Sequence, residues 1–332
     1  MNANTSTPAA ETPLPPKILQ TFKIGFDIVA NHIYLIWMPL VLDLFLWFGP
    51  HIRLNSLLQP LLDEMRKLPP MDNVQMNEMV KAGQQYWSIL AEHLNLASFL
   101  RTYPIGVPSI MFSIAPIQTP LGNAQMVEVG GPLSALAWWG LFGLLGLVAT
   151  AFYYNSLART VNHTTGPDSP TVLVFLVAQT LALTACAVLL LLILFTPMLV
   201  LAPLLALLGP GAMALGSLTF AMVVIWLILP LYFAPHGIFA LRQNVITAML
   251  TSARLVRFTL PGVALFLLIN VVMGQGLNLL WESAPETSWM ALVGVVGHAF
   301  VVTALITTSF VYYRDAIHWA HDLMQRKQAQ RG

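Results

Sequence analysis

Long apolar blocks alternate along this chain with polar or Pro- and Gly-rich breaks. A helix needs about 20 mostly apolar residues to cross a hydrocarbon core, and six blocks reach that length. The first runs from Ile28 to Phe48, and the second, opened by Gly130-Gly131-Pro132, from Leu133 to Tyr154. The third begins near Thr171 and the fourth near Ala212. The fifth covers Leu260 to Leu280 and the sixth Trp289 to Tyr313. The pattern predicts an all-α, polytopic membrane bundle of six transmembrane helices, with interfacial elbow helices and an outer helical insertion.

The stretch from Thr171 to Leu208 carries no charge and exceeds one straight span. Pro197 and Pro203 are expected to break it, because each removes a helical N–H and crowds the preceding turn. The surplus reads as a kinked extension, as a re-entrant segment or, most plainly, as one long tilted helix, with a tight turn at Leu208–Ala212. Although Lys17 and Lys23 precede the first block, it is too long for a signal-peptide core and contains Asp43, so it reads as a retained span. Residues 1–16, rich in Thr and Pro, read as a disordered tail.

Composition agrees with the pattern. Hydrophobic residues make up 57% of the chain and charged residues 9%, where about 25% charged is usual in soluble proteins. The net charge of +1 offers no basic footprint for nucleic acid. Ten Lys and Arg fall in the terminal segments and the loops after the second and fourth blocks, against five in residues 51–130 and none in the remaining turns. The positive-inside rule then places both termini in the cytoplasm and 51–130 outside, in a membrane such as the bacterial cytoplasmic membrane. This divides the chain into the tail 1–16, an interfacial helix and first span over 17–50, the insertion 51–130, a five-span bundle over 131–313 and a tail over 314–332.

Within the insertion, Leu54, Leu57, Leu58, Leu61, Leu62 and Met65 form a helical stripe that Pro60 is expected to kink or split. A second helix is expected from Asn73 to about Leu96. The run from Tyr103 to Pro116 is apolar but holds three further prolines after Tyr103, so it reads as a shallow packed loop or as a re-entrant loop lining a cavity. Between blocks four and five, residues 241–257 read as an amphipathic elbow with Val245, Ile246, Met249, Leu250, Ala253 and Val256 on its apolar face. Lys17, Lys23, Arg242, Arg254 and Arg257 are candidate contacts to lipid headgroups.

Polar groups at membrane depth are the candidate functional positions, because each is costly unless paired. They are Asp43, His298, Asn270, Gln275, Thr180 and Thr184. An Asp43/His298 pair would supply the minimum chemistry of a proton-coupled carrier, and the alternative is that each is a structural group satisfied locally. Small residues recur at Ala178, Ala182 and Cys186 and at Gly140, Gly143 and Gly146, a pattern that lets helices approach closely. The single Cys186 excludes an intramolecular disulfide. No phosphate-binding Gly loop, His-Glu-x-x-His zinc pattern or Gly-x-Ser-x-Gly elbow is present. His318, His321 and Asp322 are weak candidates for a metal, and no cofactor is expected.

The elbow Ala248-Met-Leu-Thr-Ser252-Ala-Arg-Leu-Val256-Arg257 with the aromatic that follows it, and the Tyr312-Tyr313 end of block six, resemble a broad group of six-helix bacterial membrane proteins. That group includes the YciC-like proteins and the membrane domain attached to some glycerophosphodiester phosphodiesterases. The resemblance covers roughly 131–313 and implies an inner-membrane helical domain without chemistry of its own. The expected function is a non-enzymatic structural or accessory subunit, in contact with membrane lipids and with a protein partner or second copy through 51–130 or the small-residue faces. The alternatives are a small-molecule or lipid transporter using Asp43 and His298 and, last, a metal-dependent membrane enzyme.

Overall fold

The computed structural model describes residues 15–67 and 74–329. The tail expected over 1–16 lies almost wholly outside them, as does Asn73, the expected start of the second helix of the insertion. Among the described residues, five helices are long and apolar enough to cross a membrane, or six if a bent pair counts as one span.

That bent pair is the first block. Helix α1 (Ile18–Asn31) and helix α2 (Trp37–Phe48) meet at 90° across a short 3-10 turn at Ile33–Ile36. The straight span expected over Ile28–Phe48 is therefore broken at His32. Pro39 falls in the first turn of α2, where its missing N–H is needed by no helical bond, so the sequence favours a helix start there. The α1 residues Thr21, Phe22, Gly25 and Val29 are buried. Gly25 lies so close to Thr308 that a Cβ there would collide with its backbone.

In the insertion, strand β1 (His51–Arg53) pairs in parallel with strand β4 (Met126–Glu128), and β2 (Gln118–Thr119) with β3 (Gly122–Asn123) forms a small hairpin. These strands were not expected; they are too short to show a two-residue period. Helix α3 (Asn55–Arg66) runs through Pro60 unbroken and packs on α4 (Val74–His93). Asn95 Oδ1 then accepts from Ile52 N–H and Ala97 N–H, fixing a 3-10 turn at Leu96–Leu100 against β1. A four-residue helix α5 (Met111–Ile114) follows.

Helix α6 (Pro132–Val161) starts on Pro132, and α7 (Pro170–Leu207) is the single long helix, with Pro197 and Pro203 inside it and no break at either. After Gly209, which has φ of 100°, comes α8 (Pro210–Ile228), which buries no residue. Two prolines, Pro230 and Pro235, interrupt the fourth block, and a buried α9 (Ala234–Leu241) resumes it. The elbow and the fifth block are one helix, α10 (Val245–Trp281), kinked at Thr259 just before Pro261. Helix α11 (Ala291–Ala329) continues past Tyr313 through much of the expected tail.

The elbow buries Val245, Ala248, Ser252, Leu255, Val256 and Thr259, while Ile246 and Leu250 are exposed. The apolar face read from the sequence is thus split. Alanine and serine fill the tight contact with α9, and the larger Ile246 and Leu250 point outward beside exposed Arg254 and Arg257. Ser252 also closes the break in block four: its hydroxyl donates to Pro230 O at 2.6 Å and accepts from Phe233 N–H at 3.0 Å. Irregular backbone inside an apolar bundle requires such a partner.

Candidate functional site

Residues 101–116 do not form a shallow loop. They enter the bundle from the side that carries the insertion and return to it. Both ends of the segment are tied to β1, through the Arg53–Asn95 bridge before it and strand β4 after it. Between these ends the chain reaches Thr150, whose hydroxyl lies 2.9 Å from Thr102 Oγ1. Thr102 donates to Ile105 O at 2.7 Å, so Thr150 is the donor to Thr102. Thr150 is well past the midpoint of α6; at about 1.5 Å of rise per residue it lies roughly 27 Å from Pro132. Gly146 makes the approach possible, because a Cβ there would meet the Leu100 carbonyl.

Asp43 holds the returning limb. Its Oδ1 accepts from Ser109 Oγ at 2.5 Å and from Met111 N–H at 3.0 Å, and Asp43 itself is fully buried. Ser109 Oγ accepts in turn from Phe112 N–H. His298 takes a different partner, Asn278 Oδ1 at 3.0 Å from its Nδ1. No hydrogen bond or ion pair joins Asp43 to His298. Each holds a local polar partner on its own side, the structural alternative given above, and Asp43 Oδ2 and His298 Nε2 are left buried without a hydrogen bond.

The other predicted polar positions are also dispersed. Asn270 donates to Leu305 O, linking α10 to α11, and Thr180 donates to Leu176 O of its own helix. Thr184 Oγ1 is buried without a partner, and Gln275 is exposed. Lys17, Lys23, Arg254 and Arg257 are exposed. Arg242 is not a free surface cation: it donates to Asn155 Oδ1 at 2.8 Å and pairs with Asp168 at 3.2 Å, and Arg159 pairs with the same carboxylate at 2.8 Å. Its backbone is left-handed, with φ of 55°, and this ends α9 and turns the side chain inward. Burial pushes the Asp168 carboxyl up, but hydrogen bonds from Asn155 and Arg159 and the charge of Arg242 outweigh this and hold it below the usual carboxylate range. His318, His321 and Asp322 are exposed, and among the described residues no group of three His, Cys, Asp or Glu side chains is placed to hold a metal.

The tip of the inserted loop borders a cavity of about 440 Å³. Its wall is made by Tyr103–Ile105, by Leu183, Cys186 and Leu190 of α7, by the broken fourth block from Ile228 to His236, and by Tyr154, Ile306 and Ser309. Most of this lining is apolar. Ser309 is a polar point in it: His236 Nε2 lies 2.7 Å from its Oγ, and Tyr232 also interacts with it. Ser309 donates to Ile306 O at 2.6 Å, which leaves the imidazole as the donor to Ser309 in this arrangement.

The sequence offered the cavity-lining loop only as an alternative and did not point to the helices that complete the wall, because the site's polar members are ordinary and widely spaced. Two signals were nonetheless present: the prolines at 104 and 108, and the pair at 230 and 235. Both mark backbone that cannot be a regular span, and such backbone is tolerated at depth only where protein or a cavity surrounds it. Comparison with family models, curated proteins and solved structures finds no match to this chain.

Proposed function

We propose that this multi-pass membrane protein binds a lipophilic small molecule in the cavity between the inserted loop and the broken fourth span, and that it acts as a carrier or reservoir for that molecule. The carrying observation is the cavity itself, of a size typical for small-ligand sites and lined mainly by apolar side chains. Two supports accompany it. The loop and the interrupted span meet at one place, an arrangement that carriers use to build binding sites at mid-depth. Ser252 and Asp43 hold both irregular segments, so the cavity wall is preformed. The reading departs from a purely structural accessory role and from transport through an Asp43/His298 pair. It assigns no catalytic chemistry, and the resemblance to YciC-like proteins adds a bundle but no ligand.

Ala187 lines the cavity from α7 and is only half-buried, so a larger side chain there projects into the space without displacing the core. In lipid nanodiscs, a diazirine-bearing fatty methyl ester is expected to label peptides from 183–191 or 228–236. Ala187→Trp is expected to reduce that labelling severalfold. Equal labelling of the two proteins would overturn the cavity as the binding site.

A further inference from the structure

Arg101 enters the bundle with the inserted loop, next to Thr102 and its contact with Thr150. A cation at this depth is costly and calls for a partner. Among the described residues, no carboxylate lies within ion-pair reach of it. The guanidinium makes one side-chain hydrogen bond, to Tyr103 OH at 2.8 Å, and rests over two rings, 5.2 Å from the centre of Tyr103 and 4.7 Å from that of Phe112. Asp43 lies close enough to interact with its charge, but Asp43 Oδ1 is already taken by Ser109 and Met111. Its other oxygen has no partner. Tyr103, which accepts from the guanidinium, is itself part of the cavity wall that Arg101 adjoins, and the Arg101 charge also acts on Tyr154, another lining residue, and on His298.

Resting on the proposed lipophile-binding role, we infer that the cavity takes an anionic amphiphile: an apolar chain lies among Leu183, Cys186, Leu190 and Ile228, and its oxyanion head is bound by Arg101 with Tyr103. A planar guanidinium with most of its N–H groups unengaged matches a carboxylate or a phosphate monoester by paired charge-assisted bonds. The aromatic faces of Tyr103 and Phe112 hold the fork in place before the ligand arrives.

The test uses the full chain in nanodiscs and three probes: oleate, a single-chain lysophosphatidate and uncharged methyl oleate. Each is measured by displacement of the diazirine ester. At least one charged probe is expected to bind roughly tenfold tighter than methyl oleate. Arg101→Gln is expected to abolish that preference while leaving methyl oleate binding unchanged, which also shows that the cavity is intact. Equal affinity of all three probes for the native protein, or a preference that survives Arg101→Gln, would overturn the inference. If Arg101→Gln loses the methyl ester too, Arg101→Lys is measured instead. It keeps the charge without the fork and is expected to retain part of the preference; equal binding of charged and uncharged probes by this variant also overturns the proposal. Failure of the underlying role looks different, because no probe then displaces the ester and Ala187→Trp changes nothing.

Discussion

Asp43 is fully buried on α2, and its environment explains why a carboxylate is present there. The peptide N–H of Met111 and the hydroxyl of Ser109 both need an acceptor, and the returning limb of the loop is too short and too rich in proline to supply one from its own backbone. An amide at the same position keeps the accepting oxygen, whereas an apolar side chain leaves two buried donors unpaired at a cost of about 1–3 kcal/mol each. Asp43→Asn is therefore expected to stay close to the native thermal midpoint in detergent, while Asp43→Leu falls well below it. Equal midpoints for the two variants would show that the carboxylate anchors nothing. Ser252 follows the same logic, with one hydroxyl serving both unpaired backbone groups at the Pro230 break.

Among the elements, the inserted loop depends on one glycine of a stripe that the sequence presents as three. Gly140 and Gly143 have open space where a Cβ would stand, and only Gly146 faces a backbone, that of Leu100. The spacing suggested helix–helix contact, yet the close neighbour is the 3-10 turn at Leu96–Leu100. Gly146→Val should push this turn off α6 and expose the loop, so trypsin added on the insertion side is expected to cut after Arg101 severalfold faster, while Gly140→Val leaves the rate unchanged. Identical rates for the two variants would refute the contact. What the sequence made legible was the set of elements with strong local causes: apolar blocks, proline-initiated helices and the elbow before the fifth block. What it hid was set by distant partners. The depth of Tyr103–Pro116 depends on Asp43, Gly146 and Thr150, and the buried face of α10 depends on how closely α9 approaches Ala248 and Ser252. The inward turn of Arg242 depends on Asp168, far away in sequence.

In the whole molecule, the cavity lies between helices whose ends are tied together at the opposite side of the bundle from the insertion. Asp168 stands in the loop from α6 to α7, Asn155 and Arg159 on α6, and Arg242 in the turn from α9 to α10. Gln179 of α7 adds a bond by accepting from Val245 N–H at 2.8 Å. This polar knot links the start of α7 to the end of α9, two elements that wall the cavity, so loosening it should widen the space between them. Because the Asp168 carboxyl is held below its unfolded value, the stability it contributes is fully present above the unfolded pKa of about 3.9 and is lost as the pH falls through the lower folded value. Asp168→Asn should then lower the thermal midpoint at neutral pH, with the gap to the native protein closing on acidification below about pH 4. In the same variant at neutral pH, a cysteine-reactive probe confined to the lipid phase is expected to modify Cys186 faster, since Cys186 lines the cavity. A midpoint gap that stays constant with pH would remove the charge from the account. An unchanged Cys186 rate would separate the knot from the cavity and leave it as a fastening of the loops alone.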